Sequence, residues 1–94
     1  MKVRWTGDAT RQLTAAHEYL AADSNTIAEE IVDRIVRSVS QLADFPESGR
    51  VGRVKNTREL VIVNTPYVIA YRIRENTVEI LAVLHGRRRW PKRF

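Results

Sequence analysis

The fold is decided by residues 67–85, which read YVIAYRIRENTVEILAVLH. Two runs in this stretch, 67–74 and 78–85, are rich in β-branched and aromatic residues, which favour strands. Between them lies Glu75-Asn76-Thr77, whose composition favours a turn. The stretch therefore predicts two antiparallel strands joined by a short connection.

A third strand is predicted just before this pair, at 60–63, because LVIV is followed by the turn residues Asn64-Thr65-Pro66. The preceding segment, 47–53, has no hydrophobic period and contains two glycines, so it is interpreted as a loop. Short turns between successive strands predict an antiparallel meander in the C-terminal half.

The N-terminal half has a helical period instead. Val3-Arg4-Trp5 predicts a short strand, and Asp8 or Thr6 then caps a helix. The apolar face of that helix repeats at helical spacing, at Ala9, Leu13, Ala16, His17 and Leu20.

A second helix is predicted to begin after Asn25, as its N-cap, and to end before Phe45-Pro46. Its apolar stripe consists of Ile27, Ile31, Ile35, Val39 and Leu42. The predicted order is β-α-α-β-β-β, an α+β fold in which a helical hairpin packs on one face of a small, mainly antiparallel twisted sheet.

Length and composition limit the class of protein. Ninety-four residues predict one domain, 1–94, with a basic C-terminal tail at 86–94. The absence of cysteine excludes disulfides and thiolate chemistry. No phosphate-binding glycine loop and no zinc-ligand spacing occurs, so we expect no cofactor and no metal. The N-terminus resembles neither a signal peptide nor a membrane span, which predicts a cytoplasmic protein.

The charge is divided unequally along the chain. Residues 1–49 contain five Lys/Arg and eight Asp/Glu, whereas residues 50–94 contain eleven Lys/Arg and three Asp/Glu. The second half thus carries a net charge of +8. Such asymmetry indicates an anionic partner (RNA, DNA or an acidic peptide) or, alternatively, a solvated basic surface.

The basic residues that we expect to contact a target lie in the central loop (residues 50–58, leading into the meander), in the middle strand (67–74) and in the tail. Guanidinium groups gathered at strand ends can hold several phosphates. Alternatively, Arg58 pairs with Glu59 or Glu79 and the others are solvated. The candidate target-binding residues are Arg50, Arg53, Lys55, Arg58, Arg72, Arg87, Arg88, Arg89 and Trp90.

Two of the four notable aromatic or imidazole side chains, His85 and Trp90, have two interpretations each. His85, at the end of the last strand, can act as a general base or bond a backbone carbonyl. Trp90 can stack on a base or pack the tail back onto the helices. Tyr67 and Tyr71 lie on one face of their strand, where cross-strand packing is expected.

Five segments together resemble the RelE/ParE toxin superfamily. They are VRWT (3–6), PESGR (46–50), TRELV (57–61), PYVIAYR (66–72) and VEILAVLHGRR (78–88). The resemblance extends over nearly the whole chain in the same order. It implies a cytoplasmic toxin of a type II toxin–antitoxin system, in which a cognate antitoxin wraps the toxin with an acidic or amphipathic C-terminal segment. It also implies a toxin–antitoxin hetero-oligomer, and a role in plasmid stabilisation or growth inhibition.

The superfamily includes two activities, and the resemblance to the ParE type implies inhibition of DNA gyrase. The alternative is a RelE-like, metal-independent endoribonuclease that cleaves mRNA on the ribosome. Arg87 matches the C-terminal catalytic arginine of RelE-type toxins, and His85, Arg58 and Arg72 would complete the catalytic set. However, Val68 occupies the position of a usual arginine, and the paired lysines of RelE fall near Glu59 and Val61.

We therefore favour gyrase inhibition over RNA cleavage. A third hypothesis is a non-toxic, basic nucleic-acid-binding module.

Overall fold

The computed structural model describes all residues, 1–94, and contains two helices and five strands. The elements are β1 (Lys2–Trp5), α1 (Gly7–Ala21), α2 (Asn25–Ser40), a short 3-10 helix (Gln41–Ala43), β2 (Arg50–Val51), β3 (Arg58–Val61), β4 (Tyr67–Arg74) and β5 (Thr77–His85). The predicted α+β architecture is confirmed: a helical hairpin packs on a mostly antiparallel sheet.

The sheet has the order β1-β5-β4-β3-β2. The strands from β2 to β5 are antiparallel neighbours, as the meander predicts, whereas β1 pairs in parallel with β5. The parallel pairing follows from the helical hairpin, which crosses one face of the sheet between β1 and the meander. This places the first and last strands side by side.

The hairpin between β4 and β5 is tighter than the sequence predicts, since Thr77 already belongs to β5. Glu75 and Asn76 form the two-residue turn, and both have positive φ, at 53° and 57°. Such a turn matches the right-handed twist of the strands it joins. A register shift beside Ala70 and Tyr71 then bends the ladder near the middle of the sheet.

Both helices begin at hydroxyl side chains. Thr6 accepts a hydrogen bond from the backbone N–H of Ala9, so the predicted cap of α1 is present at one of its two candidate positions. The second cap is one residue earlier than predicted: Ser24, and not Asn25, accepts from Ile27. Asn25 is already helical because the Ser24 hydroxyl reaches the N–H three residues on.

The core lies between the helices and one face of the sheet, which we call the helix-covered face. Its largest fully buried side chains include Tyr71, Ile35, Leu42, Ile62 and Ile69. Residues that alternate with these along the strands, such as Ala70, Arg72 and Glu79, point to the opposite side, the open face.

Two predictions for the strands were wrong in detail. The third predicted strand, 60–63, begins and ends earlier, at Arg58–Val61, because Ile62 and Val63 belong to the turn that the Ile62 N–H closes on the Tyr67 carbonyl. The predicted loop 47–53 contains the edge strand β2, whose Arg50 pairs with Glu59. Neither helix has the length and apolar composition to cross a bilayer.

Candidate functional site

Two glutamates organise the cations of the open face. Glu59 on β3 and Glu79 on β5 are 2% and 4% exposed, although both lie on the side of the sheet away from the helices. A carboxylate buried to this extent requires cationic or hydrogen-bonding partners. Each of the two has several.

Glu59 is held by two arginines, and together they form the Glu59 cluster. Arg50 donates from Nε and Nη2 to Glu59 Oε1, at 3.1 and 2.8 Å. Arg53 donates from its backbone N–H and from Nε to Oε2, at 2.7 and 3.0 Å. Burial by itself raises the pKa of the Glu59 carboxyl, but the hydrogen bonds from Arg53 and Arg50 outweigh it and lower the pKa from 4.5 to about 2.

Glu79 is surrounded by three arginines from two neighbouring strands, the Glu79 cluster. Arg72 donates to Oε1 at 2.7 Å, Arg4 of β1 pairs with Oε2, and Arg74 Nε lies 3.3 Å from Oε1. The hydrogen bonds from Arg72 and Arg4 lower the pKa of Glu79 from 4.5 to about 2. Three guanidinium groups on one carboxylate leave two positive charges in excess at this end of the open face.

The tail leaves β5 in a sharp turn. The Gly86 N–H donates to the Pro66 carbonyl at 2.8 Å, and the Arg88 N–H donates to the His85 carbonyl at 3.1 Å. The same His85 carbonyl also accepts from Trp90 Nε1 at 3.3 Å. Residues 86–89 therefore form a closed loop, which we call the arginine turn because it carries Arg87, Arg88 and Arg89.

Trp90 packs against Arg53 of the central loop. The Arg53 guanidinium carbon lies 3.6 Å from the centroid of the Trp90 ring, a cation–π contact. This is the point at which the central loop and the tail meet. Of the cations in 50–58, Arg53 is the one that makes this contact, and the pattern of the sequence contains no signal for it.

The arginines of the turn differ from those of the two clusters in having no anionic partner. Arg87, Arg88 and Arg89 are exposed, and none of them forms an ion pair. Lys55 in the central loop is also exposed and unpaired. These four are the candidate target-binding cations whose charge is fully available to a ligand.

The residues proposed for RNA cleavage lie in separate places. His85 is opposite Tyr67 in the β4–β5 ladder, whereas Arg72 is opposite Glu79, five positions further along β4. At the usual rise per residue this separation is about 16 Å. Arg58 is on the helix-covered side, next to Tyr71, and donates to the carbonyls of Glu47 and Gly49. It pairs with neither Glu59 nor Glu79.

His85 does lie beside Arg87, but through the main chain. The Arg87 backbone N–H donates to His85 Nδ1 at 3.2 Å, and the imidazole packs edge-on against the Tyr67 ring, with centroids 6.1 Å apart. Tyr67 is itself buried, and this burial raises the pKa of its hydroxyl. Tyr71 has a structural role, since its hydroxyl donates to the Pro46 carbonyl and accepts from the Gly49 N–H.

A groove of about 480 Å³ runs between α1 and the arginine turn. Its apolar floor includes Ala15, Ala16 and Val83, and Tyr19 stands beside it with 70% of its surface exposed. Arg88 and Arg89 lie on its rim. The groove therefore combines an apolar floor with positive charge.

Neither Tyr19 nor the Glu79 partners Arg4 and Arg74 were singled out from the sequence. The strand alternation that puts Arg4, Arg72 and Arg74 on one face was the available signal for the two arginines.

Comparisons with known proteins agree with this architecture. The profile of the family described as "ParE toxin of type II toxin-antitoxin system, parDE" matches residues 3–90. A putative toxin, Y4kP of Sinorhizobium fredii, is 45% identical over 91 residues, which cover 97% of this chain and 94% of that one. Toxin RelE2 of Caulobacter vibrioides is 36% identical over 87 residues, covering 93% and 97% of the two chains.

A solved chain of the chromosomal ParDE TA system from P. aeruginosa has the same fold. It superposes with a TM-score of 0.81 at 25% identity, covering 90% of this chain and 95% of that chain. The protein belongs to the ParE toxin family of the RelE/ParE superfamily. It is accordingly the toxin of a type II toxin–antitoxin system, and its partner is an antitoxin.

Proposed function

We propose that this toxin acts by binding DNA gyrase through the arginine turn, and that it does not cleave RNA. The observation that carries the proposal is the division of the arginines. Arg58 and Arg72, two of the three arginines proposed for catalysis, lie away from His85, whereas Arg87, Arg88 and Arg89 of the turn are exposed and unpaired.

Cleavage of RNA by attack of a 2′-hydroxyl requires a base and cations placed together around one phosphate. Arg72 is engaged by Glu79, and Arg58 by two backbone carbonyls. To join His85, Arg72 would have to leave a carboxylate and cross several residues of strand. Inhibition by binding needs no such assembly, since an exposed cationic surface of fixed shape is sufficient.

The same surface suits an antitoxin. An acidic, amphipathic segment would place an apolar side chain on the floor of the groove and its carboxylates beside Arg88 and Arg89. Binding there would cover part of the arginine turn, which explains how one partner neutralises the toxin. A toxin–antitoxin hetero-oligomer is the expected storage form.

The test is a DNA supercoiling assay with purified gyrase and refolded toxin. The parent protein is expected to inhibit at micromolar concentration, and reversal of Arg87, Arg88 and Arg89 to glutamate is expected to abolish inhibition. The matched control reverses Arg11, Arg34 and Arg37, which produces the same change in net charge on the two helices. Supercoiling that proceeds normally in the presence of folded parent toxin would refute the proposal.

One observation favours the second candidate, a RelE-like ribosome-dependent ribonuclease: the 36% identical relative carries the name RelE2. In that case His85 and Arg87, which are two residues apart in the sequence, would take part in cleavage. Translating ribosomes would then yield mRNA cut in the A site, and His85→Ala would prevent the cut. Intact mRNA at a toxin level that arrests growth would exclude this candidate.

A further inference from the structure

Three side chains from three parts of the chain form a stack that reaches from the interior of the sheet to the tail. Glu59 is buried on β3, and Arg53 of the central loop binds both of its carboxylate oxygens, through Nε to Oε2 at 3.0 Å and Nη2 to Oε1 at 3.2 Å. The Trp90 ring covers the guanidinium at 3.6 Å. A guanidinium oriented by a carboxylate presents its flat face, which suits an aromatic ring.

The other edge of the indole closes the arginine turn. Trp90 Nε1 donates to the His85 carbonyl, and the same carbonyl accepts from the Arg88 N–H. The turn is thus anchored at its start by β5 and at its end by Trp90. Without Trp90 in place, the arginine turn would lose its attachment at the C-terminal end.

We propose that Glu59 and Arg53 are positioning residues that act through Trp90 to hold the arginine turn in its target-binding conformation. This inference rests on the proposed role of the turn in binding the target. Arg53 then contributes mainly as the platform for Trp90, and not as a cation that contacts the target.

The physical reason is preorganisation. Arginine side chains on a disordered segment lose conformational freedom when they bind, and fixing their backbone beforehand removes part of that cost. Glu59 is suited to this role because its charge persists: the hydrogen bonds from Arg53 and Arg50 hold its pKa well below neutrality. The anchor therefore stays ionised at any physiological pH.

The order of the tail is the first measurement, and it is independent of the target. In isotope-labelled toxin, the backbone amides of 87–90 are expected to be rigid on the picosecond–nanosecond timescale, and the Trp90 indole N–H to be protected from solvent exchange. Arg53→Ala and Trp90→Ala should both mobilise these amides. Arg50→Ala is the matched control for order, since Arg50 binds the same carboxylate but does not touch Trp90.

The second measurement is the inducer concentration that arrests growth, for variants whose folding has been verified. Arg53→Ala and Trp90→Ala should each weaken toxicity about tenfold. The double variant should be as toxic as the less toxic of the two single variants, because both substitutions break the same contact between Arg53 and Trp90. Trp90→Phe, which keeps the stack, should restore most of the activity, and Arg37→Ala should change nothing.

Because Trp90→Ala removes no charge, its effect separates positioning from simple loss of a cation. Tail amides as mobile in the parent as in Arg53→Ala would overturn the inference, and so would full toxicity in a variant with a mobile tail. Losses that add in the double variant would also overturn it, since they would indicate separate roles. A parent toxin that orders its tail and arrests growth but spares gyrase would refute the proposed target and leave this inference standing.

Discussion

The two glutamate clusters and the arginine turn both contain exposed or half-exposed arginines, but the surroundings of these arginines differ. In the clusters, five arginines surround two buried carboxylates, so part of their charge is neutralised within the fold. In the turn, three arginines face solvent with no anionic partner. A count of basic residues therefore overstates the surface available to a target, and the location of the acids identifies the cations that remain free.

The largest expected effect comes from removing the carboxylate of the Glu59 cluster. Glu59→Ala leaves Arg50 and Arg53 without their carboxylate and is expected to lower the free energy of unfolding by about 3 kcal/mol. Urea unfolding monitored by circular dichroism measures the change. Arg87→Ala is the control from the other group and should leave stability unchanged. Equal losses in the two variants would contradict the distinction between the groups.

Low pH should reduce the stability that Glu59 and Glu79 provide. The carboxyls of Glu59 and Glu79 have pKa values lowered to about 2 in the folded chain, against 4.5 for the ordinary group. The unfolded chain thus binds more protons between these values, so their stabilisation is complete above pH 4.5 and is lost as the pH falls toward 2. The urea concentration at the midpoint of unfolding should fall as the pH is lowered through this range. The fall should be less steep in Glu59→Gln and Glu79→Gln. The same dependence on pH in the parent and in the variants would contradict the stabilising role of the two clusters.

A smaller effect is expected at the groove beside the turn. Tyr19→Asp introduces a negative charge and removes an apolar surface where we propose that the antitoxin binds, and it should weaken antitoxin binding about tenfold. Calorimetry with the purified antitoxin measures the affinity. Thr14→Asp, on the same helix but outside the groove lining, is the control. Unchanged affinity in Tyr19→Asp would place the antitoxin elsewhere.

The smallest effect belongs to an arginine outside both groups. Arg37 pairs with Asp33 one turn earlier on α2 at 3.0 Å, and both side chains are exposed. Arg37→Ala is expected to change the free energy of unfolding by less than about 0.5 kcal/mol. Thermal unfolding at low and high salt checks this value. A larger loss would show that exposed pairs contribute more to this protein than solvent screening allows.

Most of the fold follows from local signals in the sequence. The periods of α1, α2, β4 and β5 are long enough to average over exceptions, and Tyr67–Arg74 is found with the predicted bounds. The prediction failed where the chain departs from a simple hydrophobic rule. β3 contains two consecutive charged residues, Arg58 and Glu59, and β2 is two residues long, so neither strand has an apolar run to indicate it.

The site was less predictable than the fold, for a physical reason. Which arginine meets Glu59 depends on the register of β2 against β3, and the contact between Arg53 and Trp90 joins residues far apart in the sequence. Charge counts identify a basic half but carry no information on register. The candidate list therefore combined arginines that stabilise the sheet with arginines that are free.

The parallel pairing of β1 with β5 has a consequence for biosynthesis. The Thr6 N–H bonds to the Ile80 carbonyl and Arg4 pairs with Glu79, so the opening strand has no neighbour in the sheet until the last strand is made. At about 5–20 residues per second, a ribosome takes several seconds to supply it. During that interval the nascent chain lacks a completed sheet, and a prematurely terminated product ending before β5 would lack both the partner strand of β1 and the arginine turn.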